Sequence, residues 1–274
     1  MTAALVEAWE SFVALQLNWK GDDVRLWMIE HTDVPVFILC AYLALVFWGP
    51  SVIGKPMKLK AFFALWNLLL AVFSMFGAYY TIPQLVSNIA NHGFKGSICN
   101  SARDSYFDGH VGFFMCLFIL SKVPELMDTV FLVIQKKDVI FLHWFHHATV
   151  MLFCWHSYVT LSSTGLWFGA MNYGVHSIMY TYYFFTAVNL RSLVKPFAQF
   201  ITALQIAQMV VGLVVTIFSM IWSDSICNVN AANVRLGLAM YLAYFVLFAQ
   251  LFKKLYLTPK TRGSTNTAPK VKRD

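Results

Sequence analysis

Three histidines in one short segment are the residues of this sequence best suited to chemistry. The stretch 142–148 reads LHWFHHA and places His143, His146 and His147 at positions i, i+3 and i+4. On a helix this spacing puts the three imidazoles on one face. A single histidine in such a segment is usually a packing residue, but three on one face predict a reactive site. An imidazole can act as a base, an acid or a nucleophile near neutral pH.

A charged stretch precedes the histidines. The segment 122–129 reads KVPELMDT and spaces Lys122, Glu125 and Asp128 closely enough for their charges to neutralise one another. Pro124 is expected to bend the helix. Two interpretations stay open at this point. The charges form an ion pair that locks two helices together, or one carboxylate orients an imidazole of the histidine segment.

Two polar stripes with helical spacing follow the histidines. They consist of Asn172, His176, Tyr180 and Tyr183 in the first, and Thr202, Gln205 and Gln208 in the second. Each stripe interrupts a long apolar run, where polar side chains are costly and usually functional.

The composition indicates what positions these residues. Of 274 residues, 59% are hydrophobic and only 12% are charged, whereas soluble domains carry about 25% charged residues. This excludes a soluble globule and a disordered chain, and it predicts an all-α membrane protein. Runs long enough for a helix to cross a bilayer occur at 34–53, 61–82, 110–134, 139–159, 161–186, 197–222 and 231–252. Their length excludes a transmembrane barrel.

The distribution of lysine and arginine predicts the orientation of these seven helices. The loops on the side of the carboxyl terminus hold most of them, so that terminus is expected in the cytosol and the amino terminus in a lumen. The net charge of +7 is therefore a topology signal and not a sign of nucleic-acid binding. In this orientation the polar clusters lie at mid-membrane or cytosolic depth, above apolar lumenal halves. The pattern predicts a polar chamber open to the cytosol that continues into a closed apolar pocket, a shape suited to an amphiphile with a long hydrocarbon tail.

The two ends of the chain are expected to flank the helical domain of residues 34–255. Residues 1–33 form an amino-terminal arm that is not a signal peptide, because acidic residues interrupt its apolar positions. The arm is either a short helix on the bilayer surface or a partly ordered segment. Residues 256–274 are predicted to be a disordered cytosolic tail, and Lys270 and Lys272 match the dilysine retrieval pattern of endoplasmic-reticulum membrane proteins.

Two cysteines fall in loops on the predicted lumenal side. Cys99 and Cys227 are expected to face an oxidising compartment, where they form a disulfide. The alternative is a pair of free thiols.

Four motifs together resemble one family. KVPELMDT, HWFHH, NYGVHSIMYTYY (172–183) and TALQIAQ (202–208) occur in the order and spacing of the ELO family of very-long-chain fatty acid elongases, over about residues 35–255. The resemblance implies seven transmembrane helices, six of them enclosing an acyl-chain tunnel open to the cytosol. It implies a 3-oxoacyl-CoA synthase that joins a long-chain acyl-CoA to malonyl-CoA, with release of CO2 and CoA, through an acyl-imidazole. No cofactor or metal is implied, since decarboxylation supplies the carbanion.

The resemblance also implies roles for individual residues. His146 is expected to be the nucleophile, and His143 and His147 to orient or deprotonate it. Asp128 would fix a histidine tautomer, while Asn172 and His176 would stabilise the oxyanion or the enolate. The expected head-group and supporting positions are Lys122, Glu125, Tyr180, Tyr183, Gln205 and Gln208.

Substrate preference and partners follow from the same resemblance. Asp138 stands where the polyunsaturated-chain branch of the family tends to carry Gln, so the sequence resembles the branch that uses saturated and monounsaturated acyl-CoAs. The expected partners are membrane lipid and the ketoreductase, dehydratase and enoyl reductase that complete the cycle. Self-association is compatible with the sequence.

Three alternatives remain at the level of sequence. A di-iron desaturase or hydroxylase also uses HxxHH, but it needs about eight histidines to fill two coordination spheres. This chain has 8 histidines, yet His31 and His92 lie on the lumenal side and no second such motif occurs. A seven-span receptor or transporter would explain the topology but not the histidine segment. A condensing enzyme with a cysteine nucleophile would use Cys154.

Overall fold

The computed structural model describes residues 3–223, 227 and 229–258, and this part of the chain is helical without strands. The predicted retrieval signal at Lys270 and Lys272 lies outside the described residues. The helices are α1 Ala3–Leu17, α2 Gly21–Glu30, α3 Asp33–Val52, α4 Lys60–Cys99, α5 Ala102–Ser105, α6 Gly109–Ser121, α7 Met127–Ile134, α8 Phe141–Val159, α9 Gly165–Ala187, α10 Arg191–Val194, α11 Ala198–Ile221 and α12 Ala231–Phe252. Short 3-10 turns at Pro124–Leu126 and Lys195–Phe197 and a π turn at Lys253–Leu257 join or extend them.

Four helical stretches of the described chain are long and apolar enough to cross a membrane. They are Asp33–Val52, Lys60–Cys99, Arg191–Ile221 and Ala231–Leu257. Large apolar side chains on their surfaces are exposed, among them Phe37 at 70% and Phe62 at 67%. Such a surface is typical of helices in contact with lipid, and the described part of the chain is accordingly that of a helical membrane protein. Helices α6 and α7 are each too short to cross a membrane alone because the turn at Pro124–Leu126 separates them. Helices α8 and α9 are long enough, but the histidines and the polar stripe lower their hydropathy.

Helices occupy all seven predicted ranges, but two differ from the prediction. The range 110–134 is divided into α6 and α7 by the turn at Pro124–Leu126, since proline lacks an N–H and clashes with the preceding turn. The range 61–82 continues to Cys99, with a kink at Gly93. Gly93 has a φ of 66°, which glycine adopts without steric cost.

The helices share two ends. At one end Met57 N donates to Ile134 O at 3.1 Å, and Lys60 contacts Asn189. We call this the basic end, because the lysine-rich loops lie there. At the other end Arg25 donates to Val159 O at 2.9 Å and Cys99 is bonded to Cys227. We call this the disulfide end.

Small residues allow the closest helix contacts. Gly77 of α4 lies directly against the ring of Tyr173 of α9, whose hydroxyl donates to Phe114 O at 2.8 Å. Gly212 of α11 receives the ring of Tyr241 of α12 in the same way. In lipid, such small residues bring helices together because apolar burial alone gives no preference for protein over lipid tails. These contacts hold α4, α9, α11 and α12 around the interior.

The amino-terminal arm is helical. The side chains of Leu5, Trp9 and Leu15 on α1 are exposed, whereas α2 packs against α6 and α8. The arm therefore presents apolar surface outward with α1, and both of its helices attach it to the domain, since α1 also packs against α6, where Phe12 contacts Phe113.

Candidate active site

The imidazoles of the histidine segment converge on one cavity. His143, His146 and His147 of α8 and His176 of α9 all line a cavity of about 500 Å³. The ring centroids of His143 and His147 are 4.6 Å apart, and those of His146 and His147 are 5.4 Å apart. Four imidazoles from two helices are therefore available to one bound molecule.

Most of the predicted site residues line this wide cavity. Besides the four histidines these are Asp128, Asn172, Tyr180, Tyr183, Gln205 and Gln208, together with Thr202. Its wall at the basic end includes Tyr256 and Leu255 from the π turn after α12. Lys122 and Glu125 do not line the cavity.

A second, narrow cavity continues towards the disulfide end. It is lined mainly by apolar side chains, including Met115, Phe118 and Phe168, and it reaches Tyr106 and Tyr158. His146, Asn172, Gln208 and Met209 line both cavities. His146 is the only histidine of the described residues with this position, so it lies where a polar chamber meets an apolar one.

Thr129 holds His143. The Nε2 of His143 lies 3.0 Å from the Thr129 hydroxyl, which lies 2.9 Å from the hydroxyl of Tyr42. Thr129 is fully buried, so water cannot replace its hydroxyl as the hydrogen-bond partner of His143. Sequence reasoning assigned Thr129 no role, although it is the last residue of KVPELMDT and its hydroxyl stands out in an apolar stretch.

Tyr244 of α12 supports His146. The two ring centroids are 4.8 Å apart, and the Tyr244 hydroxyl lies 3.2 Å from the carbonyl oxygen of His146 and 2.6 Å from the hydroxyl of Thr149. The Nδ1 of His147 is buried without a hydrogen-bond partner among the described residues. That nitrogen is free to accept or donate a proton.

The carboxylate of Asp128 makes no hydrogen bond to a histidine. It accepts hydrogen bonds from Trp66 Nε1 at 2.8 Å and from the Tyr180 hydroxyl at 2.9 Å. Asp128 thus connects α4, α7 and α9, and the residue that holds an imidazole is its neighbour Thr129. No sequence signal identified Trp66, since a tryptophan in an apolar helix carries no mark of a specific partner.

Lys122 and Glu125 form a buried ion pair. Lys122 Nζ lies 2.7 Å from Glu125 Oε1, which also accepts from Ser121, and the two residues are 2% and 3% exposed. The pair lies within one turn of the chain and does not itself bridge two helices. Lys122 also donates to Asn172 Oδ1 at 3.1 Å, and Asn172 Nδ2 lies 3.0 Å from His176 Nε2. This contact links the ion pair to an imidazole of the cavity.

The donor set for a di-iron centre does not occur in the described part of the chain. No group of three His, Cys, Asp or Glu side chains there is arranged to hold a metal ion. The imidazoles of the cavity pair instead with a hydroxyl, an amide and aromatic rings.

The fold and the cavity define a class, namely a helical membrane protein with a histidine-lined chamber and an apolar extension. The model of the GNS1/SUR4 (ELO) family matches residues 27–264. Fatty acid elongase 3 of Trypanosoma brucei brucei is 45% identical over an alignment 282 positions long, gaps included, that covers 93% of this chain and 94% of that protein. Fatty acid elongase 3 of Trypanosoma cruzi is 44% identical and covers 92% and 94%.

A third relative, very long chain fatty acid elongase 4 of Trypanosoma cruzi, is 44% identical over 253 residues and covers 90% of this chain and 88% of that protein. The chain belongs to the ELO family, as the four motifs predicted.

Proposed function

We propose that this chain is the condensing enzyme of fatty acid elongation. It joins a long-chain acyl-CoA to malonyl-CoA and gives 3-oxoacyl-CoA, CO2 and CoA. The class of enzyme, an acyltransferase of the fatty acid elongase type, follows from membership of the family. One observation supports the proposed mechanism, namely the position of His146 at the junction of the wide and the narrow cavity.

In the first step His146 takes the acyl group. A nitrogen of the uncharged imidazole attacks the thioester carbonyl, a C–N bond forms and the C–S bond breaks. The imidazole proton leaves with the CoA sulfur as a thiol. The acyl tail occupies the narrow apolar cavity, where each buried methylene contributes about 0.8 kcal/mol. The unpartnered Nδ1 of His147 is suited to relay the proton.

In the second step malonyl-CoA enters the wide cavity. Its decarboxylation releases CO2 and leaves the enolate of acetyl-CoA, whose oxygen Asn172 and His176 stabilise. The enolate carbon attacks the acyl carbonyl, a C–C bond forms and the C–N bond to His146 breaks. The imidazole then takes up one proton and is restored. All carbon–carbon chemistry uses side chains and substrates alone.

We also propose the arrangement in the membrane. Seven helical segments cross the bilayer, namely α3, α4, α6 with α7, α8, α9, α11 and α12. Six of them enclose the two cavities as one tunnel, which is supported by the lining: residues of every segment except α3 contribute to it within the described chain. The basic end then faces the cytosol and the disulfide end the lumen of the endoplasmic reticulum.

The preferred acceptors and the partners belong to the same proposal. Saturated and monounsaturated acyl-CoAs are the expected acceptors. The ketoreductase, dehydratase and enoyl reductase of the cycle are expected in the same membrane, because the 3-oxoacyl-CoA must be processed before another round.

An adduct experiment tests the mechanism. The purified protein is incubated with a labelled acyl-CoA without malonyl-CoA, and its peptides are analysed by mass spectrometry. We expect one acyl group on the peptide that contains His146, and its discharge to a product two carbons longer when malonyl-CoA is added. Cys154→Ala should keep both, and His146→Ala should lose both. An adduct on Cys154 would falsify the assignment of the nucleophile.

A further inference from the structure

We propose that the amino-terminal arm, residues 3–30, supports the closed end of the narrow cavity and so limits the length of acyl chain that the enzyme accepts. The inference rests on the proposed function. The family match begins at residue 27, so α1 and most of α2 lie outside it.

Two tyrosines form the end of the narrow cavity. Tyr106 and Tyr158 line it beside Gly165, at the disulfide end. The Tyr106 hydroxyl donates to Ser162 O, and the ring lies so close to Gly165 that a Cβ there would collide with it. These contacts fix the position of the Tyr106 ring across the cavity.

Helix α2 lies directly behind these tyrosines. The Tyr158 hydroxyl lies 3.5 Å from the carbonyl oxygen of Gly21, and the ring of Phe107 packs against both Tyr158, at a centroid distance of 5.3 Å, and Gly21. Met28 is fully buried in the same cluster of side chains, and Trp155 Nε1 donates to its carbonyl oxygen at 3.2 Å. The end wall therefore has the cavity on one face and the arm on the other.

The distance from His146 to the end wall determines which lengths of acyl chain the wall can limit. Tyr158 follows His146 by 12 residues on α8, which corresponds to about 18 Å at 1.5 Å per residue. An extended hydrocarbon advances about 1.3 Å per carbon for ordinary bond lengths and angles. The end wall thus lies about 14 extended carbons from the acylated imidazole along α8. Because the narrow cavity has a volume of only about 50 Å³, its lining side chains must also move apart to admit a tail of that length. A longer chain requires the wall to move.

Charged contacts fasten the arm to the loop that carries the wall. Arg103 donates to both carboxylate oxygens of Asp22, at 2.5 and 2.6 Å, and Lys20 pairs with Asp108 at 2.9 Å. Arg103 and Asp108 flank Tyr106 in the sequence. A two-point contact between a guanidinium and a carboxylate fixes orientation as well as distance. The clamp formed by Asp22 and Arg103 therefore holds α2 against the wall.

Two variants loosen the wall in different ways. Met28→Ala removes buried volume behind it, and Arg103→Gln opens the clamp at the protein surface. Each full-length protein is supplied with malonyl-CoA and acyl-CoAs of about 10 to about 20 carbons. The rate with each acceptor is measured relative to that with the shortest. Glu7→Gln is the matched control, because Glu7 is exposed on α1 and has no hydrogen bond or ion pair within the described residues.

We expect both variants to act better on acyl-CoAs that are two carbons longer than the longest acceptor of the wild type. The relative rate with these acceptors should rise roughly tenfold, because two more methylenes can then be buried in an apolar site. The shortest acceptors and Glu7→Gln should be unchanged. A rate that falls equally at all lengths, or an unchanged length profile in Arg103→Gln, overturns the inference. Failure of the wild type to elongate any acceptor would instead overturn the proposed function.

Discussion

Lys122 Nζ lies 3.1 Å from Asn172 Oδ1, and this contact fixes the protonation of a third residue. A lysine ammonium only donates, so the amide oxygen must face Lys122 and the amide nitrogen must face His176. The Nε2 of His176, 3.0 Å away, is then the acceptor, and the ring proton of the neutral imidazole is on Nδ1. A buried ion pair outside the cavity thus determines which nitrogen of His176 is available as a donor.

Removal of the lysine should destabilise the protein strongly. Lys122→Met leaves the Glu125 carboxylate buried without its cation, which costs about 3–5 kcal/mol. Thermal unfolding in detergent measures the loss. In the double variant Lys122→Met with Glu125→Gln no charge is left buried, and most of the stability should return. Equal losses in the single and double variants would contradict this account.

Loss of the Thr129 hydroxyl should slow turnover without weakening substrate binding. Thr129→Val keeps the shape of the buried side chain but removes the partner of His143. One lost hydrogen bond of about 1.4 kcal/mol corresponds to about a tenfold lower kcat, with KM for the acyl-CoA unchanged. Tyr42→Phe is the control, since it leaves the contact between Thr129 and His143 in place. A change in KM alone would assign Thr129 to substrate binding.

The disulfide should stabilise the domain. Cys99→Ser or Cys227→Ser is expected to lower the free energy of unfolding by about 2–4 kcal/mol, because the bond closes a long loop. Thermal unfolding with and without a reducing agent measures the effect. The reductant should lower Tm of the wild type to that of the variants and leave the variants unchanged. A wild type insensitive to reductant under unfolding conditions would argue against the bond.

Attachment of the arm should depend on pH in the acidic range. Hydrogen bonds from Arg103 hold the pKa of Asp22 below its ordinary value of 3.8, and the charge of Arg25 adds to this. A carboxylate with a depressed pKa stabilises the folded form above its unfolded value and loses that contribution as the pH falls through the folded value. Limited proteolysis of the arm should therefore be slow at pH 7 and accelerate only below about pH 4. Asp22→Asn should be cleaved faster than the wild type at pH 7 and should accelerate less on acidification, because only the pair of Lys20 and Asp108 is then left to lose its charge.

The parts of the fold that depend on local pattern were predictable. Apolar runs gave the positions of the helices, and helical spacing brought His143, His146 and His147 onto one face, because both depend on neighbours along the chain. The break at Pro124 lies where proline predicted a bend. The kink at Gly93 and the continuation of α4 to Cys99 were not predicted, since a single residue with special backbone properties can override the average composition of a run.

The contacts between distant segments were not predictable. Trp66 reaches Asp128 and Tyr244 reaches His146 from helices far away in the sequence. Such partners are determined by how the helices pack in three dimensions. The sequence around an aromatic residue in an apolar helix does not show whether its side chain faces lipid or a carboxylate. The position of α2 behind Tyr158 was not predictable for the same reason.

The bond between Cys99 and Cys227 makes a covalent ring of the intervening chain. Its two cysteines are 128 positions apart, and the four cavity histidines fall between them. A protease that cuts once in any loop inside this ring therefore releases no fragment until the sulfur bridge is reduced. The nicked protein would run as one species on a non-reducing gel while its reactive centre stays tethered from both sides.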